Sequence, residues 1–251
     1  MIKKTLSTVA VLGMGFGLQA QFISEFEPNP AGADPTDSTI ELSGTPLASF
    51  TDWWLVSIEN DSGGALGLVD RAASVSGSFD ANGIAVVTVP DLENPTFTLI
   101  LTDSFTGTIG TTDIDPADDG TLDLSAFGTI VDAIGVSDED DDNSLLYGSA
   151  LGGSDVFYNG QFEPLSIFRD SVTNDLYNTV TIDFGTPSER IGIFDSSGSG
   201  IEVDAGLFTG GDPLATTFGS VNPTTVPEPG TYAALFGLLG LGLVLWRRRR
   251  S

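Results

Sequence analysis

Short β-branched and aromatic runs recur along this chain at roughly ten-residue spacing, each closed by a cluster of Gly, Asp, Asn, Pro or Ser. Phe22–Phe26 alternates and stops at Pro28-Asn29-Pro30. Thr39–Leu42 is bounded by Ser43-Gly44, and Trp53–Glu59 stops at Asn60-Asp61-Ser62-Gly63-Gly64. Ile84–Val89 is nearly unbroken apolar sequence, the pattern of a strand buried on both faces. Phe97–Thr102, Ile130–Val136, Val180–Phe184 and Ile191–Phe194 follow, with Ile201–Val203 a weaker run. No amphipathic helix of three turns is visible; Leu145–Leu151 offers a single helical turn. Many short strands with turn residues between them predict an all-β fold, an antiparallel sandwich of immunoglobulin-like type.

Two missing residue types narrow the chemistry. The 251-residue chain has no His, which excludes a Ser-His-Asp triad and imidazole metal ligation. It has no Cys, which excludes disulfides, thiol nucleophiles and thiolate zinc sites. A fold without disulfides relies on its core, and residues 21–225 are long enough for one sizeable domain or a domain with a small appendage.

The two ends read as addresses. Lys3 and Lys4 precede an apolar stretch from Leu6 to Leu18, and Leu18-Gln19-Ala20 supplies a small residue at a cleavage position. This predicts a secretory signal peptide over residues 1–20. At the other end, Val226, Pro227, Glu228 and Pro229 precede an apolar span to Trp246, then Arg247, Arg248, Arg249 and Arg250. A helix satisfies its own backbone in lipid, so the span predicts one C-terminal transmembrane helix. The four arginines are expensive to translocate and act as a cytoplasmic stop. Of nine Lys and Arg, those two ends hold six, leaving Arg71, Arg169 and Arg190. All 35 acids lie between Glu25 and Glu228, so three bases against 35 acids give the exported part a formal charge of about −32. Such a surface repels nucleic acid and anionic lipid, favours solubility and attracts divalent cations.

The order Pro-Glu-Pro, apolar span, arginines resembles the PEP-CTERM sorting tail of Gram-negative bacteria. The resemblance implies an exosortase-type membrane processing enzyme as partner. It also implies an inner-membrane-anchored precursor, and a destination at the cell surface or in an extracellular matrix rich in exopolysaccharide. A second resemblance covers Phe22 to Arg169. Phe22-Ile23-Ser24-Glu25-Phe26, the loop Asn29–Asp34, Ile40-Glu41-Leu42, Trp53-Trp54-Leu55 and Val131–Gly135 are similar to a lamin-tail domain, whose fold is an immunoglobulin-like sandwich. The chain departs from that pattern in two places: Asp37-Ser38-Thr39 replaces the family's usual acid before the "IEL" strand, and Asp52 replaces the family's Gly before the tryptophan. The expected organisation is therefore a signal peptide (1–20), a lamin-tail-like sandwich (21–185), a loosely ordered β extension and linker (186–225) and the sorting tail (226–251).

Few side chains suggest a site. Asp138, Asp140 and Asp142, alternate residues of the densest acidic run, would face one cation if the loop were extended, and hard oxygen ligands suit Ca²⁺. The EF-hand pattern is not met, because Asn143 stands where Gly is required and Ser149 where the bidentate Glu belongs. A solvated loop is the competing reading, as it is for the acidic turn Thr112–Gly120. Trp53 and Trp54 point to opposite faces of a strand, one towards the core and the other either covered or free to stack on a sugar ring. No motif selects a carboxylate pair for glycoside hydrolysis, so the chain reads as a non-enzyme with no required cofactor and calcium as the one candidate ion. The leading expectation is an exported structural or binding module associated with exopolysaccharide. The alternatives are a calcium-dependent adhesion module and an accessory domain of secreted hydrolase or nuclease type.

Overall fold

The computed structural model describes residues 21–30, 32, 35–92 and 96–226. The expected signal peptide and transmembrane helix lie outside the described residues, within which no helix is long and apolar enough to cross a membrane.

Period-two alternation builds two sheets that face each other. The seven-stranded sheet contains β1 (Phe22–Phe26), β2 (Asp37–Ser43), β5 (Ile84–Pro90), β9 (Pro164–Arg169), β10 (Leu176–Ile182), β11 (Arg190–Asp195) and β12 (Glu202–Val203). Its order is β12-β11-β10-β9-β1-β2-β5, antiparallel at every pairing. The five-stranded sheet contains β3 (Ser49–Glu59), β4 (Val69–Ser78), β6 (Phe97–Thr102), β7 (Ile130–Val136) and β8 (Ser154–Val156) in the order β4-β3-β6-β7-β8. Only its β7–β8 edge is parallel. A two-stranded ribbon joins β13 (Phe208–Thr209) to β14 (Thr224–Thr225).

The core lies between the sheets. Ile23, Phe26, Ile40, Leu42 and Ile167 from the larger sheet meet Leu55, Phe97, Leu99, Leu101 and Ile134 from the smaller. The Phe26 and Phe97 rings are 6.1 Å apart across this layer. A second apolar cluster covers the outer face of the smaller sheet, where Val56, Ile58, Ile100 and Ala133 pack beneath Phe105, Ile114 and Tyr147. Every residue of β6 is consequently buried.

That arrangement corrects the reading of Ile84–Val89 as the strand buried on both faces. β5 is the edge of its sheet. Ala85 and Val89 are buried and Val87 is half-buried against the core, but Val86 is 46% exposed and Thr88 is exposed. Among the described residues that outer face stays open at Val86 and Thr88, so the doubly buried strand is β6. The Trp53-Trp54 step points to both layers, Trp53 stacking on Phe50 at 5.1 Å and Trp54 tilting against Phe105 at 5.7 Å. Both tryptophans are half-buried and packed on neighbours, as the covered alternative required. Asp52, just before them, sits in a bulge of β3 at φ 56°, with its N–H donating to Ser76 Oγ. Left-handed backbone favours Gly, and Asp is one of the few other residues that tolerates it.

Candidate functional site

The acidic run leaves the end of β7 and folds into a short 3₁₀ turn over Asp141–Ser144. Asp142 is fully buried and acts inward: its Oδ1 accepts from Ser62 N at 3.0 Å, and its Oδ2 from Thr96 Oγ1 at 3.1 Å. Asp138 Oδ1 shares with Asp142 the one hydrogen of the Thr96 hydroxyl, and the Asp138 N–H donates to Thr96 Oγ1 at 3.2 Å. Burial pushes the Asp138 carboxyl up, Asp142 and Asp61 add to this, and the Thr96 hydrogen bond opposes it. Asp140 is exposed at the start of the turn. The fold therefore brings Asp138 and Asp142 together on Thr96 and leaves Asp140 outside. Among the described residues no group of three or more acidic side chains is arranged to hold a metal ion.

The acidic turn at 112–120 has the same inward use. Asp115 is 2% exposed and accepts from Asp119 N, Gly120 N and, at 3.0 Å, the Tyr147 hydroxyl. Burial and the Asp115 hydrogen bond push the Tyr147 phenol up, holding it as a donor.

A third group of acids, which composition alone did not single out, gathers at the root of the C-terminal tail. Glu25 on β1 and Glu41 on β2 are register partners and almost wholly buried. Glu25 Oε1 accepts from Thr217 N at 2.8 Å, and its Oε2 lies 2.9 Å from Thr217 Oγ1. Glu41 accepts from Ser24 Oγ and Gly219 N, each at 2.8 Å. Asn222 donates to Ser24 O at 2.9 Å. Asp170, just past β9, accepts from the Thr224 hydroxyl at 2.7 Å and from the Thr225 N–H and hydroxyl at 2.7 and 2.9 Å. Burial opposes the Asp170 charge, but N–H donors of Thr225, Thr173 and Val172 and the Thr224 hydroxyl outweigh it and hold the carboxyl down at about 2. Val226 N donates to Leu207 O at 2.7 Å.

Residues 186–225 are therefore bound to the sandwich. β11 extends the larger sheet beyond residue 185, and Val221–Thr225, whose polar composition reads as a linker, docks on β1 and Asp170. The signal for this docking was local: Glu25 directly precedes the core residue Phe26 and Glu41 lies between the core residues Ile40 and Leu42, so carboxylates buried there need donors.

Chain order then carries the argument into the tail. A family model described as the PEP-CTERM protein-sorting motif matches residues 225–250. The chain carries a PEP-CTERM sorting signal. This signal marks a secreted, exosortase-sorted surface protein, made as a membrane-anchored precursor and then processed. The matched residues begin at Thr225, the residue Asp170 holds. Pro227, Glu228, Pro229 and Arg247–Arg250 lie outside the described residues. Neither a curated protein nor a solved structure is matched by the chain.

Proposed function

We propose that the mature protein is a non-enzymatic structural or binding module of the cell surface or extracellular matrix, associated with exopolysaccharide. The observation that carries this reading is a sorting signal whose first residue is hydrogen-bonded to an acidic β-sandwich. About −32 of formal charge with three bases suits a soluble body in a hydrated, cation-bearing polymer rather than one bound to nucleic acid. The chemistry-bearing acids support the same reading, since Asp115, Asp142 and Asp170 are consumed by internal hydrogen bonds. The lamin-tail reading belongs with it: Phe22–Phe26, Ile40–Leu42 and Trp53–Leu55 fall on β1, β2 and β3. We take the sandwich as immunoglobulin-like on that basis.

Cell fractionation tests the proposal. The tagged protein should co-purify with matrix polysaccharide from wild-type cells and remain in the membrane when the exosortase gene is deleted. A glycan array, with and without Ca²⁺, then asks whether the association is direct. Protein that stays soluble, free of polymer and bound to no glycan would refute the matrix role.

A further inference from the structure

The strap Thr217–Asn222 rests on an arrangement with one hydrogen too few for an ionised Glu25. Thr217 Oγ1 lies 2.9 Å from Glu25 Oε2 and 2.7 Å from Asn222 Oδ1. Both neighbours are acceptors when Glu25 is charged, and a hydroxyl has a single hydrogen to donate. Turning the Asn222 amide over does not resolve the conflict, because its Nδ2 already donates to the buried carbonyl of Ser24. The set closes when Glu25 carries the proton: the carboxylic acid donates to Thr217 Oγ1, the Thr217 hydroxyl donates to Asn222 Oδ1, and Asn222 donates to Ser24 O.

We propose that Glu25 is a proton-held clasp, keeping the Thr217–Asn222 strap closed over β1 and β2 while neutral and loosening it when ionised. The surroundings favour the neutral form. Glu25 is 2% exposed beside Glu41, which is 1% exposed. Burial raises the Glu25 carboxyl, the Thr217 N–H and hydroxyl pull it back, Glu41 and Glu27 add to the rise, and it stands at about 7. The charged groups around the pair are Glu27 just past β1, Glu41 on β2, Asp80 acting on Glu41, and Arg169 and Asp170, which line a small cavity with Glu41. Arg169, the one cation of that set, is engaged with Asp132. Ionisation of Glu25 would thus place a second buried charge beside Glu41 without a cation to offset it. The Asp170 contacts to Thr224 and Thr225 operate in the ionised state, so the base of the tail stays attached while the strap before it loosens.

Amide hydrogen exchange of the full chain in detergent micelles, at about pH 5.5 and about pH 8.5 and corrected for intrinsic rates, reads the strap directly. Protection at residues 217–222 should fall at least about tenfold relative to β6 at the higher pH. Glu25→Gln should hold the strap closed at both, because its amide nitrogen donates to Thr217 Oγ1 as the acid does. Equal wild-type protection at the two pH values, or a Glu25→Gln variant that opens like wild type, overturns the clasp. Should Glu25→Gln lose protection in β6 as well, the wild-type ¹³C-carboxyl titration decides. A Glu25 midpoint near 7 accompanied by shifts of the strap amides supports the clasp. A midpoint at the ordinary 4.5, or strap amides that do not respond, sinks it.

Discussion

Arg169 on β9 reaches across the sandwich to Asp132 on β7, its Nη2 lying 3.0 and 2.9 Å from the two carboxylate oxygens. The same pair grips β1: Ile23 N donates to Asp132 Oδ2, and Arg169 Nε donates to Ile23 O, each at 2.9 Å. Arg169 also lies over the Phe22 ring, 5.4 Å from its centroid. One of only three bases in the exported chain is thus spent joining three strands from two sheets.

Removing one member of this pair should cost more than replacing both. Asp132→Ala leaves a guanidinium buried without its counter-charge and should cost about 3–5 kcal/mol. The double variant Asp132→Leu, Arg169→Met leaves no orphan charge and should cost less. Urea titrations of the three proteins compare them. A single variant within about 0.5 kcal/mol of wild type would show that the pair does not hold the sheets.

Much of the fold was legible because its strands are short runs of β-branched and aromatic residues closed by turn residues. Phe22–Phe26, Phe97–Thr102 and Ile130–Val136 were placed to the residue. β4 was not, because Val69-Asp-Arg-Ala-Ala-Ser-Val-Ser-Gly-Ser78 is held by ladder pairing to β3 rather than by β-favouring side chains. β5 misled because an apolar run does not say how many layers will cover it. The tail signal was readable since it is linear sequence. The Glu25–Thr217 contact was not, for it joins residues 192 positions apart.

The contrast between β6 and β5 is a direct test of the layers. Leu99 is fully buried in a strand covered on both faces, so Leu99→Asp should unfold the protein, at a cost of several kcal/mol for an unpaired buried charge. Val87 is half-buried on the edge strand, where an aspartate reaches water, and Val87→Asp should leave a folded protein of reduced stability. Far-ultraviolet circular dichroism should show a β spectrum for wild type and Val87→Asp. Equal loss of structure in the two variants would remove the distinction between the strands.

Two carboxylates at the tail root predict a stability maximum in mildly acid solution. Glu25 has its folded value raised from 4.5 to about 7, so its contribution is present below the unfolded value and lost as pH rises through about 7. Asp170 is lowered from 3.8 to about 2, so its contribution is present above 3.8 and lost as pH falls through about 2. Melting temperature against pH should therefore peak between about 4 and 5. Glu25→Gln should flatten the limb towards neutrality, and Asp170→Asn should erase the acid limb. A wild-type curve rising steadily from pH 4 to 8 would contradict the Glu25 assignment, and one that stays flat from pH 4 down to 2 would contradict that of Asp170.

The arginines of the tail should decide retention. Thr231 to Trp246 is 16 residues, and a helix over them would measure roughly 24 Å at about 1.5 Å per residue, against about 30 Å of hydrocarbon. A span that short would depend on Tyr232, Trp246 and snorkelling arginines to reach both interfaces. Replacing Arg247–Arg250 by Ser should abolish membrane retention, or yield secreted protein with the tail uncut. Fractionation and processing identical to wild type would show that the basic cluster is dispensable.

The acidic run at the end of β7 should stabilise the fold through Asp142 rather than through calcium. Asp142 accepts from Ser62 N and the Thr96 hydroxyl in a fully buried position. Asp142→Ala orphans the Ser62 N–H, while the Thr96 hydroxyl keeps Asp138 as acceptor, and should cost about 1–3 kcal/mol. Asp140 is exposed with its side chain outside that network, so Asp140→Asn should change stability by less than about 0.5 kcal/mol. A domain near −32 repels itself, and any salt relieves that repulsion, so calcium must be compared with sodium at equal ionic strength. With the three carboxylates divided between an inward pair and an outward single, the two salts should raise the melting temperature alike. If calcium exceeds sodium, and changing Asp138, Asp140 and Asp142 together to Asn removes the excess, the loop closes around a cation and the division between inward and outward acids does not hold in solution.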